Sequence, residues 1–84
     1  MTKIKGRCVL ITGGASGIGR IMGRMALERG ARCLAIWDIN KDSIATTKKK
    51  YDKLGTVKGY TVDVSNKEQV QQVARLTEKE CGQV

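Results

Sequence analysis

The sequence predicts an α/β fold, a parallel sheet built in the order β-α-β-α-β-α with strand order 3-2-1. Three observations carry this. Residues 8–12 (C-V-L-I-T) and 33–37 (C-L-A-I-W) are short apolar runs without alternation, as strands covered on both faces require. The stretches after them repeat apolar residues at helical spacing. No linker, repeat or low-complexity segment interrupts the alternation of strand and helix.

The first strand, 8–12, ends at Gly13-Gly14, and a helix follows with the stripe Ile18, Ile21, Met22, Met25 and Ala26. Gly30 stands where a left-handed C-cap belongs. The second strand, 33–37, ends at Asp38. The second helix has a weaker stripe, Ile44, Thr47, Lys48, Tyr51 and Leu54, with Gly55 as its expected cap. Residues 57–62 (V-K-G-Y-T-V) mix polar and apolar side chains around a glycine and read as an edge strand. Ser65-Asn66-Lys67-Glu68 has the S-x-x-E form of a capping box. The helix it opens carries Val70, Val73, Ala74 and Thr77 on one stripe and closes at Gly82. Right-handed crossovers put the first two helices on one face of the sheet and the third on the other. The first strand is then an open, apolar edge, so 84 residues read as half of a doubly wound sheet.

Composition narrows the chemistry. Apolar residues are 40% and charged residues 29%, a globular balance. No apolar run approaches the roughly 20 residues of a membrane-spanning helix, and no signal stretch precedes Gly6, so no membrane contact and a cytoplasmic location are expected. Histidine is absent, which excludes histidine-based catalysis in this chain. Three cysteines without a C-x-x-C argue against a disulfide scaffold or zinc cage, and no metal is expected. Cys8 and Cys33 on the apolar strands should be buried reduced thiols, with Cys81 more exposed. The net charge of +8 suits nucleic acid, but Lys48-Lys49-Lys50 is the only run of cations, and three aromatic residues are too few for a base-stacking platform. A solvated basic face is the better reading.

The stretch Thr12-Gly13-Gly14-Ala15-Ser16-Gly17-Ile18-Gly19 joins the first strand to the first helix. A pyrophosphate bound there needs a tight turn, a close backbone approach and free N–H groups at a helix N-terminus. Gly13 serves the turn, Gly17 lacks the Cβ that would block approach, and Gly19 lets the first helical turn pack on the strand. The phosphate loop G-x-x-x-x-G-K-[ST] fails, because Arg20 and Ile21 replace its lysine and hydroxyl; G-x-G-x-x-G fails at Met22. Asp38 lies at the end of the second strand, nineteen residues after Gly19, where a carboxylate accepts hydrogen bonds from the adenosine ribose and repels a 2′-phosphate. It could instead be a turn residue, with Asn40 capping the next helix. Asp63 reads equally as an Asx turn or as a contact at the same edge.

T-G-G-A-S-G-I-G resembles the cofactor motif of the short-chain dehydrogenase/reductase family, and the resemblance runs from about Gly6 to Val84. It implies a Rossmann-type dinucleotide-binding domain of which residues 1–84 form the N-terminal part. It implies that Gly13, Gly17 and Gly19 flank the pyrophosphate, that Ser16 and Ile18 contribute contacts, that Asp38 holds the ribose diol and that Asp63-Val64 touches adenine. NADP-preferring members often carry a basic residue at the positions of Ser16 or Ile39, so the resemblance favours NAD over NADP. Trp37-Asp38-Ile39-Asn40 is similar to members acting on retinol and hydroxysteroids. The family reaction is hydride transfer between a nicotinamide cofactor and a small alcohol or ketone, and a homo-oligomer is expected. Its Tyr-x-x-x-Lys pair is missing here: Tyr51 is followed four residues on by Gly55, and Tyr60 by Val64. No catalytic residue is assigned, and the chain alone is expected to be inactive. A stand-alone nucleotide-binding module is the alternative. An S-adenosylmethionine site, whose loop usually reads G-x-G-x-G, and a nucleic-acid binder fit less well.

Overall fold

The computed structural model describes residues 5–13 and 17–82. Three parallel strands, β1 (Cys8–Thr12), β2 (Cys33–Asp38) and β3 (Val57–Thr61), alternate with α1 (Gly17–Glu28), α2 (Lys41–Tyr51) and α3 (Lys67–Cys81). The sheet order is β1-β2-β3, with Cys8 opposite Cys33, Thr12 opposite Trp37, and Asp38 opposite Thr61. This is the order the sequence predicts. The expected third strand, 57–62, stops one residue earlier, at Thr61.

Side-chain alternation along each strand feeds two cores. Ile11, Leu34, Ile36 and Val57 meet Leu27 of α1 and Ile44 and Tyr51 of α2 on one face. Cys8, Cys33, Ala35, Trp37 and Tyr60 meet α3 on the other, through Val70, Val73, Ala74 and Cys81. β2 lies between both layers, and Leu34 is 0% exposed. Fully burying such a side chain is worth about 1.5–3 kcal/mol, so the central strand anchors the sheet. The polar groups that enter these cores are paired. The Trp37 indole N–H donates to Thr77 Oγ1 (3.0 Å), and the Thr77 hydroxyl donates to the Val73 carbonyl (2.7 Å).

Of the stripe expected on α1 only Ala26 is buried. Ile18, Ile21, Met22 and Met25 are exposed, Ile18 by 76%, and Gly23 and Leu27 join Ala26 on the buried face. Gly23 explains the choice. A Cβ there would lie 2.9 Å from Leu34 Cδ2, so any larger residue would require the Leu34 side chain to shift, and glycine lets the helix settle close to β2. Gly23 thus packs closely on β2 one turn beyond Gly19.

The helix ends correct the sequence reading in two places. Asn66, not Ser65, caps α3, its side chain accepting from the Gln69 N–H (3.2 Å). Ser65 is instead engaged by Asp63, donating to Oδ1 through its N–H (2.9 Å) and its hydroxyl (2.6 Å). Nor does Gly55 cap α2. The helix ends at Tyr51 with Asp52 in right-handed helical geometry, and Leu54 of the expected stripe is exposed in the following turn. Lys48, on that stripe, is exposed too. With Lys49 and Lys50 it fills the last turn of α2, where cations complement the helix dipole. Gly30 does cap α1 as expected. The Ala31 N–H donates to the Ala26 carbonyl and the Gly30 N–H to that of Leu27, the paired bonds of a Schellman ending.

Candidate functional site

The C-terminal ends of the three strands are brought level by two backbone bonds. The Gly13 N–H donates to the Trp37 carbonyl (2.7 Å), and the Val62 N–H to the Asp38 carbonyl (2.9 Å). Above them opens a cleft of about 360 Å³ lined by Thr12, Gly13, Trp37, Asp38, Ile39, Val62, Asp63 and Val64. Five of the residues singled out in the sequence, Gly13, Asp38, Ile39, Asp63 and Val64, therefore share one space. Ligands of open parallel sheets bind at this edge.

Gly13 leaves β1 with φ +66°, a left-handed conformation that favours glycine. α1 then begins at Gly17, whose φ is +49°. Among the described residues, a Cβ built on Gly13 or on Gly17 meets nothing within 4 Å. Gly17, Ile18 and Gly19 make up the first turn of α1, whose N–H groups have no partner within the helix. No acidic residue occupies that turn, which leaves its positive dipole end for an anion. Ser16 lies outside the described residues.

Asp38 closes β2 with its carboxyl Oδ1 accepting the Asn40 N–H (3.0 Å). Asn40 caps α2 by accepting from the Ser43 N–H (3.0 Å). The turn and cap roles are thus both filled, and Asp38 still lines the cleft. Across it Asp63 holds Ser65, and those hydrogen bonds keep its carboxyl below the ordinary carboxylate value. Gln69 Oε1 accepts the Asp63 N–H (3.0 Å), tying this rim to the first turn of α3. Ile39 and Val64 are exposed apolar side chains at the two lips. The donor set, an open glycine turn at a helix N-terminus with carboxylates across the edge, fits a dinucleotide: backbone N–H groups for its phosphates, acceptors for its hydroxyls, apolar walls for its base.

Thr12, Trp37 and Val62 also line the cleft and were not singled out for it. Thr12 and Trp37 adjoin the motif residues Gly13 and Asp38, so adjacency was the available signal. Cys8 and Cys33 are buried free thiols, as expected. Cys81 is buried, 6% exposed, not the more accessible thiol expected. It stands one helical turn beyond Thr77 on the face that packs against β2, and its Sγ lies 2.7 Å from that of Cys33.

These features define an α/β protein with a Rossmann-like fold and an open cleft at the C-terminal edge of its parallel sheet. The profile of the family described as short chain dehydrogenase matches residues 7–84, and the chain belongs to that family. Epidermal retinol dehydrogenase 2 of Homo sapiens is 41% identical over 83 residues, covering 96% of this chain and 26% of that protein. 3beta-hydroxysteroid dehydrogenase 2 of Eggerthella lenta is 40% identical over 85 residues, covering 96% of this chain and 31% of the relative. The crystal structure of a short chain dehydrogenase/reductase from Burkholderia phymatum in complex with NAD superposes with a TM-score of 0.92 at 32% identity, over 100% of this chain and 30% of that one. The chain thus spans between a quarter and a third of the length of these proteins. Among the described residues no helix is long and apolar enough to cross a membrane.

Proposed function

We propose that residues 1–84 form the N-terminal part of a Rossmann-type domain and supply the NAD-binding half of an oxidoreductase acting on an alcohol or carbonyl substrate. The observation that carries this reading is the convergence of Gly13, Asp38, Ile39, Asp63 and Val64 on one cleft, although they lie up to 51 residues apart in the chain. The turn from Gly13 through Ser16 to Gly17, with Ile18 and Gly19, binds the pyrophosphate through backbone N–H groups. Asp38 accepts the hydroxyls of the adenosine ribose, and Ile39, Asp63 and Val64 bound the adenine. When bound, the nicotinamide gives or takes the hydride.

NAD is preferred to NADP. A 2′-phosphate would meet the Asp38 carboxylate at the end of β2, and Ile39 offers it no positive charge. Arg20, the nearest cation to the motif in sequence, has its Nε directed to Thr47 Oγ1 (3.1 Å). No residue here is given a catalytic role, because neither tyrosine has a lysine four positions on. The names of relatives such as retinol and hydroxysteroid dehydrogenases support an alcohol or ketone as the substrate class. A cytoplasmic homo-oligomer completes the reading.

Calorimetric titration of the purified protein with each dinucleotide tests it. Saturable one-to-one binding of NAD, tighter than that of NADP, is the expected outcome. Equal or reversed affinities would overturn the cofactor preference, and no binding of either would overturn the site.

A further inference from the structure

All three cysteines of the chain meet in one place. Cys8 opens β1, Cys33 opens β2 and Cys81 ends α3. Each is buried, and their sulfurs all lie within 4.8 Å of one another. In sequence they are separated by 25 and 48 residues, so only the fold makes them neighbours. We propose that Cys8, Cys33 and Cys81 form a three-thiolate site for one soft monovalent metal ion, Cu(I), at the end of the sheet opposite the dinucleotide cleft.

The donor set selects the ion. Thiolate sulfur is a soft ligand that favours Cu(I), zinc and iron–sulfur clusters over magnesium, calcium or manganese. Structural zinc takes four ligands. The chain has no histidine, and among the described residues the group comprises these three cysteines and no carboxylate. Three converging sulfurs suit an ion content with trigonal coordination. The surroundings suit a buried ion as well. All three cysteines are nearly inaccessible, 4%, 3% and 6% exposed for Cys8, Cys33 and Cys81, which keeps water from the sulfurs. Arg32, just before Cys33, donates through its guanidinium to the Cys81 carbonyl (2.6 Å). Its positive charge partly offsets the net negative charge of one monovalent ion held by three thiolates.

On binding, three S–H bonds break, their protons pass to the buffer, three Cu–S bonds form, and copper stays at +1. Without an ion, burial holds the Cys33 and Cys8 thiols protonated by raising them above their ordinary range. Coordination reverses this, because a metal-bound thiol is deprotonated outright. Thr12 lies four residues beyond Cys8 along β1, about 13 Å at the usual strand rise. The thiol site is therefore distinct from the dinucleotide cleft and can be read without cofactor or activity.

The test is competition of the full reduced chain, under anaerobic conditions, against a chromophoric Cu(I) chelator, with bound metal counted by mass spectrometry. One Cu(I) per chain is expected. Cys8→Ser, Cys33→Ser and Cys81→Ser should each weaken binding by at least the 10–100-fold that even outer-shell changes cost, roughly. Cys8→Ala keeps a small apolar group in the core, and circular dichroism checks its fold. Copper should also raise the thermal unfolding midpoint of the wild type, because the native state gathers the sulfurs and the unfolded chain does not. Full affinity in Cys8→Ala would overturn the three-thiolate site in favour of a Cys33–Cys81 pair. No uptake from the chelator, or uptake with no rise in the midpoint, would overturn the site altogether.

Discussion

On the proposed reading, cofactor choice turns on Asp38. Its position at the end of β2 and its hydrogen bond to the Asn40 N–H hold the carboxylate at the rim of the cleft. Hydrogen bonds to charged groups are worth about 1.5–3 kcal/mol, or roughly tenfold to a hundredfold in affinity. Asp38→Asn should therefore weaken NAD binding by about that factor while leaving NADP nearly unchanged, which titration with both dinucleotides reads directly. Gly17 makes a second case at this scale. Its φ of +49° means that Gly17→Ala introduces backbone strain as well as a Cβ in the open space above the turn. The variant should lose both cofactor affinity and some stability. A variant with unchanged NAD affinity would contradict the assignment of this turn to the pyrophosphate. Asp63 supplies the pH dependence. Its pKa is lowered by Ser65, so its contribution is present above its ordinary value of 3.8 and is lost as pH falls through the lowered folded value. Asp63→Asn should flatten the acid limb of a stability-against-pH curve below about pH 4, measured by urea unfolding.

At the scale of elements, the strands and their order were legible because each strand has a distinct composition and Gly30 and Gly82 punctuate the helix ends. Less legible was which face of α1 turns inward. Ile18, Ile21, Met22 and Met25 are larger and more apolar than Gly23, yet they face outward, and of the expected stripe only Ala26 turns in, beside Gly23 and Leu27. Hydrophobic periodicity ranks faces by apolarity, whereas packing on a sheet also rewards close approach, and the short distance from Gly23 to Leu34 Cδ2 shows that approach. Gly59 repeats the lesson in β3, where a Cβ would collide with Ile44 Cγ2 of α2. Gly59→Ala should force α2 outward and destabilise the fold by an amount typical of overpacking, about 1–3 kcal/mol, measurable by denaturant unfolding. In the candidate site, the glycine turn and Asp38 were readable from spacing. The thiol cluster was not, because Cys8, Cys33 and Cys81 carry no local motif and meet only through the register of β1 with β2 and the docking of α3. The cap of α3 was misplaced by one residue because Ser65 and Asn66 are both good caps, and the competing bond to Asp63 takes the serine. Asn66→Ala should therefore cost roughly 0.5–2 kcal/mol, with Ser65→Ala distinguished from it by leaving the Gln69 N–H capped.

For the whole molecule, two features point to the same outcome. Among the described residues β1 is paired on one side only, with β2. On the neighbouring helix the stripe Ile18, Ile21, Met22 and Met25 faces solvent. Each such side chain forgoes much of the roughly 1.5–3 kcal/mol that full burial provides, and small domains have only about 5–15 kcal/mol of stability in total. An open strand beside an apolar helix face favours pairing with a second chain or with further polypeptide of the same kind. The 84-residue chain on its own should therefore self-associate with rising concentration. Sedimentation velocity across the micromolar range should show the shift, and Ile21→Lys with Met25→Lys, both at exposed positions, should move it to higher concentration without loss of helix content. The isolated chain should also bind NAD without oxidising or reducing any alcohol or ketone, since neither Tyr51 nor Tyr60 has a lysine four residues on to lower its pKa for proton transfer. Tyr60 is further unsuited to that task. Burial raises its phenol, and its hydroxyl donates to Glu80 Oε1 (2.6 Å) on the face away from α1 and α2. A monomer at all concentrations that changed NADH absorbance with a simple alcohol would refute both the unpaired-edge argument and the argument from the absent tyrosine–lysine pair.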